Sequence, residues 1–329
     1  MRPANPGGST RFTKLVANCY LNTVLKRIAL LKIIKSSSQA FGASVLMAVF
    51  VIPFFSFVFL PSLTLQVKQL PQQPHIQPQG VEEEPFVSEP VEAPGRLRTV
   101  VLDAGHGGKD PGCLGRISRE SRIVLKLALA VGRKIKAEMP GVRVIYTRTT
   151  DKFIELGDRP AIANRNKADL FISIHCNASP RSSQVYGTET YTMGLHKTDG
   201  NLDVAKRENA VILKEDNYQE KYKGFDPNSP LAHIMLANYQ HAFMSSSINF
   251  AQKVEYCFRK HAERTSRGVK QAGFIVLWRT TMPSVLIETG YLTNPTEERY
   301  LASAEGQDEI SDSIVRAFKA YKQEVDAAE

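Results

Sequence analysis

Cysteine is scarce in this chain, four in 329 residues, and no two form a CxxC pair. Cys19, Cys113, Cys176 and Cys257 are spaced too widely for a cysteine zinc finger or a dense disulfide framework. A Cys113–Cys176 bridge is conceivable, but small residues in tight turns and core positions are often cysteine through packing alone. Acidic residues are missing from positions 1 to 66, which carry Arg2, Arg11, Lys14, Lys26, Arg27, Lys32 and Lys35. Those seven cations account for most of the formal charge of +9, so the body of the chain is nearly neutral. That distribution removes the even basic footprint expected of a nucleic-acid binder. A Walker phosphate loop is also missing, because the Gly107-Gly108-Lys109 turn lacks its spacing.

Charge of either sign is absent from Ser36 to Val67. The centre of that run, Phe41 to Leu60, is about the length a helix needs to cross a bilayer. Basic residues on its amino-terminal side keep that side in the cytoplasm. The expected plan is a basic cytoplasmic segment over 1–40 and a transmembrane helix or signal sequence over 41–65. The body is then exported to the periplasm or cell envelope, either anchored to the inner membrane or released after cleavage. Residues 66–97 read as a disordered linker, with Pro71, Pro74, Pro78, Pro85, Pro90 and Pro94 set among Gln and Glu.

From Arg98 the pattern alternates between strand and helix. Apolar runs predict strands at Thr99–Asp103, Val142–Thr147, Asp169–Ile174, Gly187–Thr192, Gly273–Trp278 and Ser284–Glu288. Apolar stripes at helical spacing predict helices at Glu120–Glu138, Glu155–Asn166, Ser247–Glu263 and Ser311–Glu324. The implied fold is α/β, a mostly parallel twisted sheet flanked by helices in one catalytic domain over 98–325. The polar stretch 194–246 does not fit the alternation and reads as a helical insertion near the site, with helices near Val204–Leu213 and Leu231–Phe243.

Three of the predicted strands end on reactive side chains: His106, His175 and Glu288. Open α/β sheets place their chemistry at the carboxyl ends of strands, so the three belong to one site. His106 and His175 supply two metal ligands, and Glu120, at the start of the helix after the glycine-rich loop, is the candidate third. Two His and one Glu form a known catalytic zinc set with one position open for water. Glu288 then remains free to take a proton. Singly, each residue has a plainer reading: a hydrogen-bonded core histidine, a glutamate favouring a helix dipole, or an ion-paired acid. His75, His196, His233, His241 and His261 lie in polar or linker contexts and read as surface or structural.

The runs Leu102-Asp103-Ala104-Gly105-His106-Gly107-Gly108-Lys109-Asp110-Pro111-Gly112, Ser173-Ile174-His175-Cys176-Asn177-Ala178 and Val285-Leu286-Ile287-Glu288-Thr289-Gly290-Tyr291-Leu292-Thr293-Asn294 resemble the zinc-dependent N-acetylmuramoyl-L-alanine amidases of the Amidase_3 type. The likeness covers about Arg98 to Tyr321. It implies one Zn2+ held by His106, Glu120 and His175, with Glu288 as the catalytic glutamate. It implies hydrolysis of the amide joining N-acetylmuramic acid to L-alanine in peptidoglycan. Asn177, just past a ligand, is a candidate for orienting substrate. The family commonly has Glu-Lys-Asp at the second ligand, where this chain has Glu120-Ser121-Arg122. The ligand is retained, so the change bears on loop packing.

In several relatives an inserted helix covers the zinc until an activator protein displaces it. The segment Leu195–Phe243 occupies the corresponding place, and Glu208 and Glu215 are its candidate acidic plugs. A passive surface elaboration is the alternative. Two other functions fit the same chemistry less well: a zinc peptidase acting on the stem peptide, and a wall-binding module without catalysis.

Overall fold

The computed structural model describes residues 96–237 and 242–328. The forecast basic segment, membrane or signal segment and nearly all of the linker lie outside the described residues. Among the described residues no helix is long and apolar enough to cross a membrane.

Six strands form one sheet: β1 (Thr99–Ala104), β2 (Arg143–Tyr146), β3 (Leu170–Asn177), β4 (Thr188–Met193), β5 (Ser266–Ala272) and β6 (Ser284–Tyr291). Their spatial order is β2-β1-β3-β6-β4-β5. The β1–β2, β1–β3, β3–β6 and β4–β5 pairs are parallel. The β4–β6 pair is antiparallel, so the sheet is mixed. Helices α1 (Glu120–Glu138) and α2 (Asp158–Arg165) follow β1 and β2. Between β4 and β5 run α3 (Asp199–Asn209), a 3-10 turn at Ala210–Lys214, α4 (Tyr218–Lys221), α5 (Pro230–Ala237) and α6 (Met244–His261). The chain closes with α7 (Pro295–Ala302) and α8 (Ala304–Ala327).

The α1 helix forms where Ile123, Val124, Leu127, Ala128, Val131 and Ile135 recur on one stripe, and all six are buried. It stops at Met139, just before Pro140-Gly141. One forecast strand is corrected. Gly273–Trp278 is not a strand; Ile275–Leu277 is a buried 3-10 turn, and the strand lies just before it at Ser266–Ala272. A short apolar run has no periodicity that separates a buried turn from a buried strand. The true strand is an edge with cations along it, which is how sheets discourage further pairing.

Side chains alternate across a strand, and here that alternation sorts chemistry from packing. Val100, Leu102, Leu170, Ile172, Ile174, Val285 and Ile287 face one core shared with α1, α6 and α8. The intervening positions hold Asp103, Ser173, His175, Asn177 and Glu288, every one of them buried. That second face also carries an apolar cluster, in which Val101, Phe171 and Leu286 meet Val204, Ala205, Val211 and Ile212 from the segment after β4. This segment is therefore built into the core and does not merely lie on the surface.

Asp103 sits on the polar face, fully buried. Its Oδ1 accepts Arg159 Nη1 at 2.8 Å and Thr147 Oγ1 at 2.6 Å, and its Oδ2 accepts Ser173 Oγ at 2.7 Å. Burial raises a carboxyl's pKa, but Arg159 and these hydroxyls hold Asp103 below its usual value. Removing one partner of such a pair leaves an uncompensated buried charge. Arg159→Leu should therefore cost roughly 3–5 kcal/mol of stability, and adding Asp103→Asn should recover part of it. Urea unfolding of the two variants checks this; a double variant no more stable than the single would contradict it.

Candidate metal centre

His106 follows β1 in a backbone conformation few non-glycine residues adopt, with φ 58°. Two buried arginines hold the turn. Arg159 Nη2 donates to the His106 carbonyl at 3.0 Å, and Arg148 Nη2 donates to the carbonyls of Gly105 and Ser121 at 2.7 and 2.8 Å. The turn swings the His106 ring back toward β3, where it meets the His175 ring edge-on at 4.9 Å between centroids. Glycine is needed beside both rings. A Cβ on Gly105 would collide with the His175 ring, and one on Gly112 would lie 2.6 Å from both His106 Cδ2 and Glu120 Oε2.

Glu120 opens α1, yet its carboxylate does not serve that helix. Oε2 accepts the Cys113 N–H at 2.8 Å, and Oε1 accepts the Cys176 N–H at 2.9 Å. Oε1 also stands 3.1 Å from His106 Nε2 and 3.1 Å from His175 Nδ1. Glu208, from the last turn of α3, brings Oε2 to 3.2 Å from His106 Nε2 and 3.1 Å from His175 Nδ1. One ligand atom from each of His106, Glu120, His175 and Glu208 thus lies within 4.8 Å of all the others.

The donor set fits a divalent metal. His106 Nε2 and Glu208 Oε2 are buried and close, but lack the angles of a hydrogen bond, as expected of atoms aimed at a shared point. Both rings are oriented through their other nitrogens: His106 Nδ1 lies 2.6 Å from Asp110 Oδ2, and His175 Nε2 lies 3.1 Å from Ser173 Oγ. Such outer partners fix the ring tautomer and orientation of metal-binding histidines.

Glu288 lies across the β3–β6 ladder from His175 and is fully buried. Burial, reinforced by Glu208, pushes its carboxyl well above the ordinary range. Arg207, next to Glu208 on α3, reaches Glu288 Oε1 at 3.4 Å, Asn177 Oδ1 at 3.0 Å and Glu208 Oε1 at 3.0 Å. The Asn177 amide donates to Glu189 Oε2 at 3.2 Å. Lys214 adds a third tie from the inserted segment, at 2.6 Å to Asp110 Oδ1.

The structure gathers His106, Glu120, His175, Glu288, Asn177 and Glu208 in one place. Glu215 is a correction: it does not join them. Its Oε1 accepts the Leu156 N–H and its Oε2 the Tyr222 hydroxyl, each at 2.8 Å, so it braces the inserted segment against the loop before α2. Cys113 and Cys176 are free thiols, and Cys113 Sγ donates to the Cys176 carbonyl at 3.1 Å. His233 is buried, with Nε2 2.9 Å from the Pro227 carbonyl, in a structural role. Sequence reasoning missed Arg148, Arg159 and Arg207. Asp103 and Ser173 carried a readable signal, as polar residues inside otherwise apolar strands.

Charge balance sets a pH dependence. Burial disfavours a protonated imidazole, but Glu208 and Glu120 outweigh it and lift His175 to about 9, from 6.5. His106 is raised well above its ordinary value by Glu120 and Asp110 against the same penalty. A group raised in the folded state contributes stability that is complete below 6.5 and lost as pH rises through about 9. A metal ion bound there would replace those protons. Chelator-treated protein should therefore lose melting temperature between pH 6.5 and 9 relative to zinc-loaded protein. Adding zinc at neutral pH should release protons, measurable by calorimetry in buffers of different ionisation enthalpy. Parallel melting curves and no proton release would contradict the assignment.

Residues 100–320 match the family described as N-acetylmuramoyl-L-alanine amidase. Similar curated proteins include AmiC of Escherichia coli, 34% identical over 232 residues that cover 69% of this chain and 54% of that protein. AmiA of Escherichia coli is 32% identical over 232 residues, 69% of this chain and 77% of that protein. The chain thus spans about half the length of AmiC. Among solved structures, the amidase of Clostridium difficile aligns with TM-score 0.51 and 26% identity, over 69% of this chain and 97% of that one. AmiC2 of Nostoc punctiforme aligns with TM-score 0.51 and 28% identity, over 70% and 99%. With the family match spanning most of the chain, this protein belongs to the N-acetylmuramoyl-L-alanine amidase family.

Proposed function

We propose that this chain hydrolyses the amide between N-acetylmuramic acid and L-alanine of peptidoglycan, and that the structure is its closed form. The observation that carries this reading is the meeting of His106, Glu120 and His175 around one point, with Glu288 buried beside them, in a chain of this family. His106 Nε2, His175 Nδ1 and the Glu120 carboxylate would hold one ion, with zinc the natural choice for two imidazoles and a carboxylate. When bound, that ion supplies a Lewis acid for the amide carbonyl and acidifies water.

Glu288 accepts the proton of the attacking water and passes it to the leaving L-alanine nitrogen. Its desolvated position, which disfavours the charged form, suits a group that gains and then returns a proton. Asn177, held between Glu189 and Arg207, positions the substrate. Glu288→Gln should abolish release of stem peptides from purified sacculi while zinc content, by elemental analysis, stays unchanged. Mass spectrometry of the digest separates the possible reactions. Intact stem peptides with a free L-alanine amine mean amidase, trimmed peptides mean peptidase, and no products mean a binding module.

Glu208 occupies the place among the ligands that an exchangeable group must take, and Arg207 bridges Glu288 and Asn177. Together they close the site from the inserted segment 194–246. An activator protein acting on this segment would open it; α5 there shows Leu231 and Met235 at 64% and 63% exposure. Because Val204, Ala205, Val211 and Ile212 are core residues, deleting the segment would confuse unmasking with unfolding. Glu208→Ala is the cleaner test. It should raise basal sacculus hydrolysis about 10-fold or more while leaving zinc bound, a coupling of ordinary allosteric size. Unchanged or lower activity in the folded variant would remove Glu208 as a plug.

The substrate places the domain, over 98–325, in the cell envelope. The apolar run 41–65 supports delivery there as membrane anchor or signal sequence, with 66–97 as tether.

A further inference from the structure

Glu189 stands directly across the antiparallel β4–β6 ladder from Glu288. Partners in such a ladder have Cα atoms roughly 4.5–5.5 Å apart and project from the same face. Two ionised carboxylates so placed repel each other. The structure answers by surrounding Glu189 with donors. Its Oε1 takes Arg267 Nε and Lys270 Nζ, both at 2.7 Å, and the Tyr291 hydroxyl at 2.6 Å. Its Oε2 takes the Tyr191 hydroxyl at 2.7 Å and the Asn177 amide at 3.2 Å. Burial would raise the Glu189 carboxyl, but Lys270 and these bonds hold it below the usual range.

One cation would neutralise Glu189, and Glu288 opposite already has Arg207 at 3.4 Å, so the second cation on Glu189 is left over. That surplus is not sealed in. The side chain of Arg267 is 41% exposed and that of Lys270 22%, against 2% for Glu189. Both cations line a cavity of about 630 Å3 that runs from Tyr191 and Tyr291 to Asn177 and Arg207, with α3 lining it as well. A buried acid that fixes two half-open cations beside aromatic side chains has the form of an anion site in a ligand pocket.

We propose that Arg267 and Lys270, which reach in from the edge strand β5 and are held by Glu189, bind a free carboxylate of the stem peptide beside Glu189, one strand over from Glu288. The assignment rests on the amidase reading for its ligand. An extended peptide advances roughly 3.3–3.6 Å per residue, so a carboxylate on the residue after L-alanine spans the gap from the scissile amide at Glu288 to the neighbouring strand. A peptide amidated at that carboxyl would leave the surplus charge unmatched. The site therefore selects acidic over amidated stem peptides.

The test uses two N-acetylmuramoyl tripeptides that differ only in D-glutamate or D-isoglutamine as second residue. Because Glu208 closes the site, both chains carry Glu208→Ala: affinity is read by calorimetry on the zinc-loaded full chain with Glu288→Gln added, and hydrolysis with Glu288 intact. The acidic peptide should bind roughly 10- to 100-fold more tightly, as for a charge-assisted hydrogen bond. Arg267→Gln and Lys270→Met should each erode that preference through KM, with kcat little changed, and Arg267→Lys should restore part of it. Equal affinity of the unaltered site for both peptides, or no binding of either, overturns the proposal. So does an equal loss on both peptides in Arg267→Gln, which would mark a purely structural role. Preference for the acid without any cleavage would sink the amidase reading and leave the site standing; cleavage without preference would do the reverse.

Discussion

Three carboxylates and two imidazoles share a volume from which water is nearly excluded, and the rest of the architecture answers to that crowding. Glu120 and Glu288 are wholly buried, and Glu208, His106 and His175 nearly so. An ionised carboxylate in such a place is tolerable only with opposite charge at contact distance. The imidazoles provide that charge for Glu120 and Glu208 when protonated, and a divalent ion held by the same donors would provide it when they are not. The site is therefore poised between two ways of neutralising the same acids. Glu288 is coupled to both, since Glu208 raises its pKa while Arg207 and His175 act against the rise.

Holding that cluster in register takes buried cations that do no chemistry. Arg148 and Arg159 direct their guanidinium groups at the carbonyls of Ala104, Gly105 and His106 and at Asp103. They replace, for a loop with strained backbone, the hydrogen bonds a strand would have received from its neighbours. The same economy appears on β4, where Glu189 keeps one arginine and one lysine side chain, Arg267 and Lys270, beside the cleft. In both places a buried acid or carbonyl fixes a cation whose position matters to the site.

The segment after β4 links these two features. Its apolar residues complete the second core cluster, while Arg207, Glu208 and Lys214 point into the candidate metal site. Packing and charge thus favour the same seated position of α3. Displacing it requires breaking ion pairs and exposing apolar surface together, which makes an all-or-none transition more natural than gradual loosening.

Much of the site was legible in the chain itself. Period-two alternation and parallel order place His175 and Glu288 near the carboxyl ends of β3 and β6, and His106 stands in the turn just past β1. Glu120 was legible too, as the first residue of a helix whose stripe is unambiguous. The polar face was written in Asp103 and Ser173, interrupting runs that would otherwise be apolar. Periodicity could not separate the buried turn at Ile275–Leu277 from a strand, because the turn is fixed by Asn209, whose side chain bonds Ile275 N and the Gly273 carbonyl from 64 or more residues away. Nor could it tell Glu208 from Glu215. Seven positions apart, one on each side of the apolar run Ala210–Leu213, they differ in what the folded chain sets before them: two imidazoles for one, a tyrosine hydroxyl and a backbone N–H for the other. Local patterns determined which elements form and which reactive groups reach the strand ends. Long-range packing alone decided which acid joins the His106–Glu120–His175 cluster and which cations stand beside it, because those choices depend on distances between segments that no local rule encodes.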